Sequence, residues 1–127
     1  MIQTAIHSIL EADSGVTALT TNISHGLMNQ ETNMPFITFL VYDVEPNETK
    51  DDVSRLDEVY LSVSAVSKDN LNALNIGAAI RTALDDYSGT IDGETIQRIS
   101  FLKHRDAWIN TSKAFQVTME FQIFLER

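Results

Sequence analysis

Hydrophobic residues recur at helical spacing in two segments of the chain, each bounded by residues that start or stop helices. In residues 1–12 the apolar side chains share one face, and the polar turn at residues 13–15 ends the pattern. The second segment begins at Ser67, a favourable N-cap, and is closed by Gly89. Gly77 lies within its apolar stripe, where helix propensity disfavours glycine. We therefore predict two helices, the second in close contact with a sheet.

Four longer segments are predicted to be strands, and the second and last of them alternate apolar and polar residues with the two-residue period of a strand. These segments are residues 36–44, 55–66, 94–104 and 113–126. The first is largely apolar on both faces, which predicts a central strand or a strand covered on both sides, and residues 23–28 are compatible with a short edge strand. The sequence thus predicts an α+β fold, an antiparallel sheet of about four main strands with two helices packed on one face.

One face of this sheet is expected to be partly polar, because polar residues alternate with the apolar ones. Tyr60 lies on that face in the second long strand, and Glu120 and Gln122 lie on it in the last. A partly polar sheet face is compatible with exposure to solvent or with a subunit interface. We therefore take these three as candidate interface residues.

Residues 45–52, between the first two long strands, are polar and acidic, and this composition predicts a mobile loop. The loop carries Glu48, Asp51 and Asp52. Acidic residues in a loop are ordinarily solvated, and ionic contact with a partner is the alternative. All three are further candidate interface residues.

Residues 106–112 are predicted to form a loop or hairpin tip before the last strand, and Trp108 and Ile109 lie within it. A large apolar pair at an exposed tip is unfavourable unless something covers it. Two interpretations stay open: the pair folds back onto the core, or it docks on a partner, where tryptophan is a frequent anchor.

The composition sets limits on the class of protein. A chain of 127 residues, 43% of them hydrophobic, fits one domain over residues 1–127. It lacks cysteine, which excludes disulfides and thiolate chemistry, and its apolar runs are too short to cross a membrane. No signal peptide is evident at its start, so we expect it to stay in the compartment where it is made. The net charge of -9 argues against tight binding to nucleic acid phosphates.

No catalytic or metal-binding constellation is evident. His7, His25 and His104 lack a second histidine or carboxylate at metal-ligand spacing, and no nucleophile-elbow, P-loop or dinucleotide motif occurs. We therefore predict no catalytic residue, no metal and no cofactor.

Basic residues gather near the last hairpin, from Arg98 through Lys103 and Arg105 to Lys113. A salt-bridged rim or a patch for an acidic neighbouring subunit explains them better than nucleic acid does. The odd spacing between Arg98 and Lys103 predicts that the two point to opposite faces of the sheet.

The order of these segments resembles a known family over nearly the whole chain. The segments that carry the resemblance are the helix and short turn at residues 2–19, the strand entry Met34-Pro35-Phe36-Ile37, the strand-to-helix unit at residues 57–84, the turn at residues 88–93 and the final Phe124-Leu125-Glu126. In order and spacing they resemble the tail-completion or tail-terminator proteins of long-tailed bacteriophages and prophages.

The resemblance implies a structural role without enzymatic activity or cofactor. Such proteins are α+β subunits that assemble into a ring, usually a hexamer. The ring caps the tail tube protein and joins it to the head-tail connector protein, and genomic DNA passes through the bore. The resemblance also implies that the protein is located in the virion tail or neck, assembles in the host cytoplasm and has no membrane partner. An acidic bore that repels DNA would require residues such as Glu48, Asp51 and Asp52 to face inward.

Two other functional classes stay open on sequence grounds. One is a small oligomeric α+β ligand-binding or regulatory domain with a cleft beside its sheet. The other is an uncharacterised enzyme. The absence of a convergent polar pocket in the sequence pattern favours the structural role over both.

Overall fold

The structure is a computed structural model that describes residues 1–26, 34–49, 52–111 and 113–126, the side chains of residues 47–49 and 52–55 excepted. Its helices and strands follow one another in the order α1 (Ile2–Ala12), α2 (Ser14–Thr17), β1 (Ile23–His25), β2 (Phe36–Thr49), β3 (Asp52–Ser67), α3 (Asn70–Leu84), β4 (Gly89–Ile91), β5 (Glu94–Ile109) and β6 (Ala114–Glu126).

The strands form one curled six-stranded sheet in the order β1-β2-β3-β6-β5-β4. Neighbours are antiparallel except β1 and β2, which are parallel. Two long hairpins, β2–β3 and β5–β6, meet where β3 pairs with β6, so β6 lies in the middle of the sheet. The α+β class and the antiparallel main strands are confirmed.

The predicted numbers of strands and helices are wrong in detail for the part of the chain that the structure describes. Besides the four long strands, the sheet contains β1 and β4, and a third helix, α2, follows α1. Each of these extra strands is 3 residues long and α2 is 4 residues long. The short edge strand expected within residues 23–28 is present as β1, at one edge of the sheet. Segments so short complete less than two periods of alternation, so the sequence pattern indicates them only weakly.

The core lies between the helices and one face of the sheet. The residues buried on the two central strands are the alternating apolar ones of β3 and β6: Val59, Leu61, Val63, Ala65, Val117, Met119, Phe121 and Ile123. Against them pack Ile76 and Ile80 of α3 and Ile6 and Leu10 of α1. Burying each large aliphatic side chain stabilises the fold by about 1.5–3 kcal/mol.

The predicted close approach of α3 to the sheet is confirmed at Gly77. A Cβ atom built at Gly77 would lie 2.8 Å from Cγ1 of Val117 on β6, closer than such carbons approach. The ends predicted for this helix are wrong. Asp69 is the N-cap and accepts a hydrogen bond from the amide of Leu71, because Ser67 is still paired in β3. The helix ends at Leu84, and Gly89 begins β4.

Both long hairpins extend beyond the predicted strands. Of the predicted acidic loop, residues 45–49 and Asp52 belong to β2 and β3, and β5 continues through Ile109. Register shifts occur in β2 between Val41 and Asp43 and in β5 between Phe101 and Lys103. Each shift inserts a residue and thereby changes which side chains share a face.

Candidate functional site

The sheet face opposite the helices, here called the helix-free face, carries the polar residues that alternate with the core. Tyr60 of β3 lies opposite Gln122 of β6, and the Gln122 Nε2 donates to the Tyr60 hydroxyl at 3.3 Å. Ser64 and Thr118 lie opposite each other, with their hydroxyl oxygens 3.1 Å apart. The structure therefore brings the predicted residues Tyr60, Glu120 and Gln122 onto one face of two adjacent strands.

Glu120 is the centre of a charged cluster on this face. The Tyr42 hydroxyl donates to Glu120 Oε1 at 2.8 Å, and Lys103 Nζ lies 3.3 Å from Oε2. An Arg105 guanidinium nitrogen lies 3.9 Å from the same oxygen. The Glu120 side chain is only 15% exposed, so this carboxylate is held largely out of water while the side chains around it stay exposed.

The same contacts shift the pKa values of Glu120 and Tyr42. The hydrogen bond from Tyr42 lowers the pKa of Glu120, and Lys103 and Arg105 lower it further against the opposing effect of burial. Burial and the hydrogen bond to Glu120 raise the pKa of Tyr42 to about 12. At neutral pH the pair is therefore a neutral phenol donating to a carboxylate.

Tyr42 and Leu40 are not among the interface residues predicted from the sequence. Both lie on the helix-free face and are about half exposed, at 47% and 48%. Of the two interpretations of residues 36–44, a strand covered on both sides is wrong for this structure, whereas β2 does lie inside the sheet, between β1 and β3. The sequence nevertheless carries a signal for these two residues. Apolar residues on both faces of a strand indicate that a second surface covers it.

On the helix-free face, acidic residues gather on β2 and β3 and basic residues gather on β5. Asp43 and Glu45 of β2 lie opposite Tyr60 and Glu58 of β3, which makes Glu45 and Glu58 a like-charged cross-strand pair. Partial burial and the carboxylates of Glu58, Glu45 and Asp43 raise the pKa of Tyr60. This group of Asp43, Glu45 and Glu58 is called the acidic corner below.

Lys103 and Arg105 lie on the far side of the same face, on β5. They pair in register with Glu120 and Thr118. Arg98, which pairs in register with Phe124, shares their face because the register shift after Phe101 inserts one residue. The prediction that Arg98 and Lys103 point to opposite faces is therefore wrong. A guanidinium nitrogen of Arg98 lies 3.4 Å from Asp86 Oδ1, so Arg98 is salt-bridged as the prediction of a salt-bridged rim requires.

Trp108 and Ile109 lie in the last part of β5 and not in a loop, because β5 is longer than predicted. Trp108 packs edge-on against Phe115 of β6, with ring centroids 4.8 Å apart, and remains 51% exposed. Ile109 lies opposite Ala114 and is half-buried. Trp108 therefore rests on its own hairpin while much of its surface stays open.

The acidic candidates of the predicted loop give no site geometry. Glu48 lies in β2 and Asp52 at the start of β3, but their side chains are outside the described set. Asp51 lies outside the described residues altogether.

The described surface includes shallow hollows. One, of about 190 Å³, lies on the helix-free face between Leu40 and Gln116. Another, of about 310 Å³, lies between α1 and α3 beside Ile9 and Tyr87. Among the residues that the structure describes, no three His, Asp or Glu side chains lie close enough together to hold a metal ion. None of the described helices is long and apolar enough to span a membrane.

Comparison with known proteins identifies the family. The family model described as "Tail completion protein gp17" matches residues 4–126. A chain from the virion of a native gene transfer agent particle superposes with a TM-score of 0.84 at 16% identity, over 99% of this chain and 95% of that one. At this identity the likeness shows a shared fold. No curated protein sequence matches the chain. The family match covers almost all of the sequence, and the chain accordingly belongs to the tail completion proteins, structural proteins of the bacteriophage virion located in its tail or neck.

Proposed function

We propose that this chain acts as a single structural domain that assembles into a hexameric ring, caps the tail tube protein and joins it to the head-tail connector protein. Genomic DNA crosses the ring only in transit. The observation that carries the proposal is the match to the tail completion family over residues 4–126. The same membership favours a structural role over an enzymatic one, so we propose no catalysis. No observation favours the ligand-binding alternative.

The helix-free face supports an assembly role on physical grounds. Leu40 and Tyr42 on this face each leave about half of a large side chain in water, and so does Trp108 near the end of β5, on the opposite face. Exposed apolar surface beside an ordered polar cluster is typical of a face that another protein covers. A durable contact of this kind buries more than about 1,000 Å² in total.

The charge of the chain is compatible with DNA in transit. A net charge of -9 gives the subunit an overall repulsion from the phosphate backbone, so DNA would pass without being held. We propose that acidic residues, among them Glu48, Asp51 and Asp52, face the bore. A structure of the assembled ring tests this directly: a strongly positive bore would contradict it.

The function itself is tested by deleting the gene and supplying it in trans. We expect the deletion to leave tails of abnormal length, or tails that do not join heads, as counted in electron micrographs. Complementation with the intact gene should restore whole virions. Normal virions without the gene would refute the proposal. Negative-stain images of the concentrated protein, alone and with tail tubes, should show rings with a central hole.

A further inference from the structure

The outer edge of β5 is only partly covered. β4 pairs with β5 near its start, at residues 94–96. Just after α3, the Asp86 amide donates to the Ile99 carbonyl at 2.9 Å, and the Ile99 amide donates to the Tyr87 carbonyl at 3.1 Å. The Phe101 amide then donates to Asp85. Beyond that point, over residues 102–109, no described residue pairs with this edge.

An unpaired strand edge is a template for another strand. Residues 102–108 are exposed throughout, so their backbone groups are within reach of a second chain. Lys103 and Arg105 lie on this stretch and remain 57% and 66% exposed although both approach Glu120. Charged side chains on an edge deter indiscriminate pairing and thereby select a partner of opposite charge.

The opposite side of the sheet carries a matching edge. β1 pairs only with residues 37–39 of β2, and the Gly26 amide donates to the Phe39 carbonyl. Residues 40–46 extend beyond that pairing, and within the described part of the chain no strand lies along them. Asp43 and Glu45 lie on this stretch, at the acidic corner.

The acidic corner carries an unfavourable contact that a cationic partner would relieve. Glu45 and Glu58 are direct cross-strand neighbours, and like charges in that position destabilise a sheet. Both are on the helix-free face, as are Lys103 and Arg105. The chain therefore carries a basic open edge and an acidic open edge whose charged side chains project from the same face.

We propose that residues 102–109 of one copy add as a strand to residues 40–45 of the next copy. Lys103 then lies beside Glu45, and Arg105 beside Asp43. Within one subunit β2 and β5 run antiparallel, so copies set side by side in the same sense pair these edges antiparallel. The two edges differ, so the contact is head-to-tail and closes into a ring when the rotation is right.

The positions of the edges also set the geometry of that ring. The open part of β2 lies beside residues 57–62 of β3, which pair with the second half of β6, and the open part of β5 lies beside the first half of β6. The two open stretches are therefore at opposite ends of the sheet. Pairing them staggers neighbouring copies along the strands, as closure of a tilted sheet requires. This inference rests on the proposed ring and adds the surface that builds it.

Disulfide cross-linking tests the contact, since the sequence has no cysteine. The pair Asp43→Cys with Arg105→Cys, and likewise Glu45→Cys with Lys103→Cys, should form disulfides only between copies. Within one subunit β2 and β5 are three strand spacings apart, about 14 Å, beyond the roughly 7 Å that a disulfide spans. We expect a ladder of covalent oligomers on non-reducing gels. Asp43→Cys with Lys68→Cys, which lies outside the proposed edge, is the matched control.

Charge reversal gives a second test with a distinctive pattern. Variants Lys103→Glu/Arg105→Glu and Asp43→Lys/Glu45→Lys should each associate at least about tenfold more weakly by analytical ultracentrifugation. An equimolar mixture should assemble again, because each variant then meets an oppositely charged edge in an alternating ring. The control Lys68→Glu/Arg98→Glu matches the first variant in net charge change and should assemble normally. Circular dichroism confirms that each variant is folded.

The outcomes separate the two proposals. If the unaltered chain forms rings but the cysteine pairs give no ladder and the charge variants still assemble, the edge pairing is wrong and the ring stands. If cross-links form only to the tail tube protein, the edge pairing between copies is wrong. If the unaltered chain forms no rings, alone or with tubes, both proposals fail.

Discussion

The carboxylate of Glu120 is largely buried on the helix-free face, and Tyr42, Lys103 and Arg105 surround it. A buried carboxylate without such partners would be strongly unfavourable. Sequence alternation placed Glu120 on this face correctly. It did not reveal Tyr42 as the partner, because the register shift after Val41 is invisible in the residue pattern.

Glu120→Gln should flatten the acid side of the stability profile. The folded-state pKa of Glu120 lies below its unfolded value, so the ionised group stabilises the fold above that unfolded value. This contribution disappears as pH falls through the folded pKa. We expect the variant to be about 1.5–3 kcal/mol less stable near pH 7. It should also lose less stability than the parent as the pH falls below the unfolded-state pKa of a glutamate and through the lower folded-state pKa of Glu120.

The measurement is urea denaturation at a series of pH values. Tyr42→Phe removes the largest cause of the shift and leaves the lysine and arginine, so it should show part of the same flattening. Parallel pH profiles for the parent and Glu120→Gln would contradict this account.

At the scale of elements, α3 lies so close to β6 that only glycine fits at the contact. Gly77→Ala would ordinarily stabilise a helix by about 1 kcal/mol. Here the new methyl group meets Val117 Cγ1 at 2.8 Å, so we expect a net loss of about 1–3 kcal/mol by overpacking. Urea denaturation measures it.

A double-mutant cycle separates overpacking from other causes. Val117→Ala removes the obstructing methyl groups at a cavity cost of its own. The double variant should therefore be more stable than the sum of the two single effects. A gain in stability from Gly77→Ala alone would show that the helix can shift away from the sheet.

The elements also show how far sequence reasoning reaches. The alternation of β6 and the stripe of α3 follow from burial on one side, so their existence, type and packing faces could be predicted. Their ends could not, because they depend on tertiary pairing: Ser67 has the chemistry of an N-cap but is held in β3, and Asp69 takes that role. The acidic segment after Val44 has the polar composition of a loop. Its pairing with β3 is a tertiary contact that the composition does not reveal.

At the scale of the whole molecule, the isolated subunit leaves large apolar side chains exposed, and Trp108 is one of them. Trp108→Ser should leave the fold nearly intact, because its contact with Phe115 contributes only about 0.5–1.5 kcal/mol. It should reduce the yield of complete virions in the complementation assay, since the tryptophan is proposed to dock on a partner. Electron micrographs and infectivity counts provide the measurement.

Leu71→Ser is the matched control for that experiment. Leu71 is another exposed large apolar residue, and it lies on α3, away from the open edge of β5. We expect it to complement normally. Equal loss from both variants would indicate a general effect of surface apolarity, and no loss from Trp108→Ser would remove Trp108 from the interface.

The central position of β6 has a consequence for how the nascent chain folds. β3 and β6 are paired although their residues lie roughly fifty to seventy positions apart in the sequence. The ribosome therefore completes every other described strand before the one that joins the two hairpins emerges from the exit tunnel. Until then β3 and β5 each lack a neighbour, and a stalled polypeptide offers those strands to chaperones or to aggregation. Assembly of the virion thus begins from subunits whose sheet is complete only once β6 has left the ribosome.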